Sequence, residues 1–155
     1  MLPQEADLKR LARSLHYGAY PLDGVITAGQ LRAEDLPQIA EAGCRVVMDI
    51  RAPDEPREYD EPRAVQAAGL EYRNVPVAYD GIPDETFDLV RTALRDDRPL
   101  VLHCNSANRV GAMLLPYLVL DEHHDPDDAF DLACAVGMRN AALAEFAMEY
   151  IERHR

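Results

Sequence analysis

The sequence has no tryptophan, only three cysteines, a single lysine and no apolar run long enough to cross a membrane. Its longest apolar stretch, 110–120, is about half of the ~20 residues that a spanning helix needs. Cys44, Cys104 and Cys134 show no C-x-x-C spacing, so neither a structural zinc site nor a disulfide framework is expected. We interpret Cys44 and Cys134 as small residues of the hydrophobic core.

The formal net charge is −12, with Lys9 as the one lysine beside fifteen arginines. Nucleic acids and anionic membranes are therefore not expected partners, since both bind basic surfaces. An anion would have to be bound by a local positive region. Residues 1–5 lack the charged and apolar regions of a signal peptide, so we expect a cytoplasmic protein with reduced thiols. The sequence gives no indication of the oligomeric state.

Predicted strands alternate with helices through the first 110 residues, and only helices follow. This order predicts one α/β domain, 1–155, with a mostly parallel four- to five-stranded sheet, helices on both faces and a helical C-terminal third. An amphipathic start with helical spacing of apolar residues is predicted over residues 1–20, and the segment 17–21 interrupts this pattern. The predicted strands are 25–29, 45–50, 72–77 and 99–103, and the predicted helices are 33–42, 62–68, 83–95, 110–120, 126–137 and 140–154.

The segment 99–111 is an apolar strand, a loop of small polar residues and the start of an apolar helix. Cys104 stands where the strand ends, and Arg109 where the helix begins. Backbone N–H groups of residues 105–109 and the helix dipole can converge on one anion there. Such a ring stabilises a thiolate over a thiol, and the Arg109 fork suits two oxygens of a tetrahedral anion. We interpret the segment as a reactive thiolate loop rather than as a buried core cysteine.

Two other loops follow predicted strands and should share an edge of the sheet with Cys104, because ligands of parallel sheets bind beyond the carboxyl ends of the strands. One of these loops carries Asp80. Another carries Asp54, Glu55 and Glu58, which we interpret as solvated carboxylates. One of the three is within reach of an ion pair with Arg109.

The run from His103-Cys104 to Arg109-Val110-Gly111 resembles the cysteine-dependent protein tyrosine and dual-specificity phosphatase superfamily. The sequence HCNSANRVGA is most similar to the beta-lactamase-hydrolase-like family, whose bacterial phosphatase-like domains are often fused to beta-lactamase-fold persulfide dioxygenases. Segments 26–31, 34–43 and 47–51 resemble the N-terminal half of that family. The resemblance covers most of residues 25–115 and implies a phosphatase-like fold.

The resemblance implies that Cys104 is the nucleophile and that Arg109 binds and orients the substrate anion. It also implies that His103 fixes the loop and favours the thiolate. The general acid of the family is an aspartate on the loop after the preceding strand. Asp80 matches that place better than Asp84, which a helix start explains. The residues expected to contact the substrate are Asn105, Ser106, Ala107, Asn108 and Val110.

Two departures from the pattern of these phosphatases leave three functions open. Four residues separate Cys104 from Arg109, where phosphatases of this type have five, and Val110 replaces their usual serine or threonine. A four-residue separation resembles rhodanese-type loops, which carry a cysteine persulfide. The first hypothesis is a phosphatase that hydrolyses a phosphate ester through a phosphocysteine. The second is a sulfurtransferase that accepts sulfur from a sulfane-sulfur donor, and the third is an inactive anion- or partner-binding domain. None of them implies a metal or a cofactor.

Overall fold

The central strands are apolar along their whole length because helices cover both faces of the sheet. In a computed structural model that describes residues 5–155, the five strands have the order β1-β2-β5-β3-β4. The last four in this order are parallel, and β1 pairs antiparallel with β2. The strands are β1 (Ala19–Leu22), β2 (Val25–Ala28), β3 (Val46–Asp49), β4 (Glu71–Asn74) and β5 (Leu100–His103).

Within residues 5–155, seven helices are divided between two hydrophobic cores, one on each face of the sheet. Alternate residues of β5 enter opposite cores: Val101 faces the N-terminal helices, whereas Leu100 and Leu102 face the C-terminal ones. The predicted fold class is therefore confirmed. The N-terminal helices are α1 (Glu5–Ser14), α2 (Asp35–Glu41) and α3 (Glu61–Ala67), and the C-terminal helices are α4 (Asp84–Asp96), α5 (Asn108–Leu120), α6 (Pro126–Val136) and α7 (Ala141–His154).

Strand β1 is not predicted from the sequence, and most of it lies in the segment 17–21 that is interpreted as a break. Pro21 lies inside this strand, and an edge strand tolerates proline because one side of its backbone needs no partner. The prediction for Cys134 is also wrong, since this residue is exposed on α6, whereas Cys44 is buried as predicted. Burial raises the pKa of the Cys44 thiol to about 12.

Residues 1–4, on which part of the predicted amphipathic start and the signal-peptide expectation depend, lie outside the described residues. Within residues 5–155, no helix combines the length and the hydropathy that a membrane span requires.

A cluster of buried charges joins α3 to the carboxyl ends of β3 and β5. Arg51 donates hydrogen bonds to Asp49 Oδ1 at 2.9 Å and to Glu61 Oε1 at 3.0 Å. The other oxygen of Glu61 lies 2.8 Å from Nε2 of His103. Burial by itself raises the pKa of the Asp49 carboxyl, but the hydrogen bonds from Arg51 and the neighbouring positive charges together outweigh burial and hold this pKa far below its ordinary value.

The spacing within this cluster is also that of a metal site, because Asp49, Glu61 and His103 offer ligand atoms within 4.8 Å of one another. The guanidinium of Arg51 already supplies a positive charge to both carboxylates. The cluster is therefore explained by internal ion pairs.

Removal of the Arg51 charge should destabilise the fold strongly. In Arg51→Met, the buried Glu61 loses its arginine partner, and Asp49 keeps Arg57 as an ion-pair partner and the Tyr72 hydroxyl as a hydrogen-bond donor. We expect a loss of about 3–5 kcal/mol in the free energy of unfolding, as for other broken buried ion pairs. Urea denaturation measures this loss, with Arg63→Met as the matched control because Arg63 is exposed. Equal stability of the two variants would contradict the interpretation.

A second prediction concerns Gly111, where α5 passes closely over the end of α6. A Cβ atom here would lie 2.6 Å from the carbonyl oxygen of Ala133 and 2.7 Å from Cβ of Met138. Gly111→Ala should therefore lower the free energy of unfolding by about 1–3 kcal/mol. Gly81→Ala is the control in the same urea titration, because the described residues place nothing within 4 Å of a Cβ at that site. A loss in Gly81→Ala as large as in Gly111→Ala would refute the packing argument.

Candidate active site

The loop after β5 has the geometry of an anion-binding nest. Cys104 is buried, and Ala107 takes a left-handed φ of 63° immediately before α5 begins at Asn108. Within residues 5–155, the backbone N–H groups of Asn105, Ser106 and Ala107 donate to no protein acceptor. A turn of this kind before a helix N-terminus presents free N–H groups to an anion.

The turn between α6 and α7 holds the far side of the loop. Oδ1 of Asn108 accepts hydrogen bonds from the backbone N–H groups of Arg139 and Asn140 at 2.8 and 3.1 Å. The Arg139 guanidinium donates to Oγ of Ser106 at 2.7 Å. A Cβ on Gly137 would lie 2.8 Å from Cβ of Ala107. This close packing supports the strained left-handed conformation of Ala107, which costs a residue with a Cβ atom about 1–2 kcal/mol.

Arg109 is buried, and the Nε edge of its guanidinium has no partner within residues 5–155. Its Nη1 and Nη2 donate to the two oxygens of Glu55 at 2.7 and 2.9 Å, and Nη1 also donates to the Val77 carbonyl at 3.4 Å. Nε is buried and has no partner among the described residues. Because a buried N–H without an acceptor is costly, this edge is suited to bind an anion.

The guanidinium of Arg109 is protonated and carries a positive charge. Burial by itself lowers the pKa of Arg109, but its hydrogen bonds to Glu55 and its electrostatic attraction to Cys104 and Glu55 together outweigh burial and raise this pKa above its ordinary value. The expectation that a carboxylate of the 54–58 segment pairs with Arg109 is confirmed, and the partner is Glu55.

The loop that carries Asp80 contacts Arg109 from another side. The guanidinium carbon of Arg109 lies 5.1 Å from the centre of the Tyr79 ring. Asp80 follows Tyr79, is exposed, and forms no ion pair in the part of the chain that the structure describes. Asp84 begins α4 and pairs with Arg153 at 2.6 Å, and this hydrogen bond lowers the pKa of Asp84. The geometry therefore gives Asp84 a structural partner and leaves the Asp80 carboxylate unengaged.

The remaining predicted site residues differ in burial and in the groups that they contact. His103 is fully buried, with Nδ1 3.4 Å from the Cys104 carbonyl oxygen and Nε2 on Glu61. The side chain of Val110 lies in the hydrophobic core, which leaves its backbone as the part able to face a ligand. Asn105 is exposed, and Ser106 and Asn108 are half-buried.

Glu61 and Arg139 are not predicted from the sequence as residues of the site. Glu61 contacts His103 directly before the loop, and Arg139 contacts Ser106 within it. Glu61 precedes Pro62 at the start of α3, a pattern that indicates a helix and nothing about the loop. Arg139 precedes Asn140, which caps α7. In both cases the signal in the sequence is a helix start.

Solved structures share the fold of this chain. The comparison with a DUF442 protein from Shewanella putrefaciens CN-32, described as a phosphatase, gives a TM-score of 0.78 at 14% identity and covers 93% of this chain and 97% of that one. The core catalytic domain of the PP-IP phosphatase SIW14 from S. cerevisiae gives 0.71 at 16% identity and covers 88% and 86%. TpbA from P. aeruginosa in complex with pTyr gives 0.65 at 15% identity and covers 90% of each chain.

No curated protein matches the sequence. Residues 24–123, about two thirds of the chain, match the family model Tc-R-P, described as the DSP-PTPase phosphatase of polymorphic toxin systems. This segment contains the loop from Cys104 to Arg109 and all strands except β1. The phosphatase superfamily expected from the loop sequence is confirmed, and the chain belongs to the DSP-PTPase phosphatase family of polymorphic toxin systems.

Proposed function

We propose that this protein hydrolyses a phosphate monoester through a covalent intermediate on Cys104. The observation that carries the proposal is the set of donors without acceptors in the loop that begins at Cys104. The Nε–H of buried Arg109 and the N–H groups of Asn105, Ser106 and Ala107 have no acceptor among residues 5–155. Such donors stabilise the charge that develops on the phosphoryl oxygens during transfer. Membership in a phosphatase family supports the same reaction.

Substrate binding would use the edge of Arg109 that Glu55 leaves free. The Nε–H and the second Nη2–H form a planar fork that matches two oxygens of a phosphate group. The loop N–H groups would receive the remaining oxygens. These contacts offset the repulsion between a dianion and a chain of net charge −12.

The chemistry then takes two displacements. The Cys104 thiolate attacks phosphorus in line, and the phosphorus–oxygen bond to the leaving group breaks as Asp80 donates a proton to that oxygen. A water molecule then gives a proton to the Asp80 carboxylate and attacks the phosphocysteine. Inorganic phosphate leaves, and the thiolate is restored. His103 holds the backbone at Cys104 through its contact with the carbonyl oxygen.

The observation in favour of a sulfurtransferase is the four-residue separation between Cys104 and Arg109. A persulfide on Cys104 would need no general acid. The matched family, the DUF442 protein and SIW14 are described as phosphatases, and the TpbA structure contains pTyr, which favours phosphate ester hydrolysis.

A paired assay tests the proposed function. Wild-type protein should release phosphate from an aryl phosphate, chosen because the TpbA structure contains pTyr, and should form no thiocyanate from thiosulfate and cyanide. Cys104→Ser should lose phosphate release, since a hydroxyl is a far weaker nucleophile at neutral pH. Cys134→Ser is the matched control, because Cys134 is an exposed thiol on α6. Thiocyanate formation without phosphate release would establish the sulfurtransferase instead.

The role of Asp80 is tested separately. Asp80→Asn should lower kcat about 10²-fold or more with an alkyl phosphate, because the leaving oxygen loses its proton donor. The loss should shrink with an aryl phosphate whose leaving group is a weak base. Asp84→Asn removes the same charge from the start of α4 and should retain most of kcat. A kcat unaffected by Asp80→Asn with both substrates would remove Asp80 from this role.

A further inference from the structure

We infer that the substrate is a small phosphate ester that carries a protonated amine, and that a polar cavity beside the loop of Cys104 receives this amine, an inference that rests on the proposed function. The cavity has a volume of about 510 Å³, within the range of about 300–1,000 Å³ that is usual for small-molecule sites. It is lined by residues 14–16 at the end of α1, by residues 30–32 after β2, and by Glu58. Most of these side chains are polar.

The cavity adjoins the loop that begins at Cys104. The backbone N–H of Gln30, in the wall of the cavity, donates to the carbonyl oxygen of Asn105 at 2.9 Å. A Cβ atom on Gly29 would lie 2.8 Å from the same oxygen, so the two backbones are in direct contact. Asn105 is also one of the loop residues whose N–H group has no acceptor within residues 5–155. One small molecule can therefore contact both the loop and the cavity.

The wall that carries Glu58 is fixed relative to Arg109. Glu58 follows Glu55, which binds the Arg109 guanidinium, by three residues, and such a segment spans at most about 11 Å. The Tyr59 hydroxyl donates to the carbonyl oxygen of Leu31 at 3.0 Å and holds this segment against the opposite wall. The buried Nε–H of Arg109, which has no partner in the described part of the chain, marks the phosphate end. Glu58 is thus close enough for a small molecule to contact both.

The charges at the cavity favour a cation. Glu58 is exposed and forms no ion pair or hydrogen bond with any residue from 5 to 155. The guanidinium of Arg32, in the opposite wall, is paired with Asp35 at 2.8 Å and with Glu34 at 3.6 Å. These three carboxylates outnumber the guanidinium. A negative cavity beside an anion-binding loop suits a molecule with a phosphate at one end and an ammonium group at the other.

The charge of the whole chain favours the same class of substrate. A phosphate ester without a cation is repelled by the net charge of −12, whereas a protonated amine offsets part of the phosphate charge. A carboxylate or a second phosphate on the alcohol part would meet Glu58 and be repelled there. The amine therefore distinguishes the preferred substrate from neutral and from more acidic phosphate esters.

The test compares two aryl phosphates of nearly equal size, 4-(aminomethyl)phenyl phosphate and 4-(hydroxymethyl)phenyl phosphate. At about pH 8 the amine is protonated, and the hydroxymethyl group is neutral. We expect kcat/KM of wild-type protein to be about twofold to fivefold higher for the ammonium ester, chiefly through a lower KM, which is the size of an exposed ion pair. Added salt should reduce this preference, because it screens exposed charges.

Variants of Glu58 assign the preference to the cavity. Glu58→Gln should lower the ratio of the two kcat/KM values by the same factor, and Glu58→Lys should lower it further, because the ammonium group then meets a like charge. Asp54→Asn is the matched control, since it removes an exposed negative charge from the same segment but does not line the cavity. It should keep the wild-type ratio. Because the ratio compares two substrates on one protein, a variant with lower overall activity still reports on the cavity.

A ratio that Glu58→Gln leaves unchanged would overturn the inference. An equal fall in Asp54→Asn would overturn it as well, because the effect would then be one of net charge. The proposed function fails on a different result, the absence of phosphate release from both esters by wild-type protein. In that case both esters stay intact, and calorimetry measures their binding directly. Tighter binding of the ammonium ester that is lost in Glu58→Gln would support the inference without turnover, and equal binding of the two esters would refute it.

Discussion

The buried ion pairs of Arg51 with Asp49 and Glu61 are the interaction on which the rest of the site depends. They connect the carboxyl ends of β3 and β5 to the start of α3, directly behind the loop of Cys104. Unpaired charges at this depth would be strongly destabilising, so each member of the cluster requires the others. Through His103, the same cluster contacts the loop that begins at Cys104. Through Arg57, it also contacts the segment that carries Glu55, the ion-pair partner of Arg109.

The loop is held from the opposite side by packing and by backbone hydrogen bonds. Gly111 and Gly137 allow α5 and the loop to lie against the turn between α6 and α7. Asn108 accepts two hydrogen bonds from that turn. A site supported by ion pairs on one side and close packing on the other keeps its donors preorganised, which is the condition for strong electrostatic stabilisation of a transition state.

An acidic chain thus has a local region suited to an anion. The net charge of −12 repels anions at a distance, while the buried guanidinium of Arg109 and the loop N–H groups, which have no acceptor among residues 5–155, are suited to bind one at contact. Glu55 adds to the negative charge of the chain, but this carboxylate binds only one edge of the Arg109 guanidinium and leaves the Nε edge available.

The sequence by itself determined the sheet, the helices on both faces, and the loop between Cys104 and Arg109, because hydrophobic period and turn residues are local signals. It also predicted that a carboxylate of the 54–58 segment pairs with Arg109. It did not predict β1, because proline argues against a strand until its place at the edge of the sheet is known. Only the tertiary structure decided that Glu55, Glu61 and Arg139 hold the loop. These contacts join residues 33 to 54 positions apart, and no periodicity in a sequence encodes which distant side chains meet.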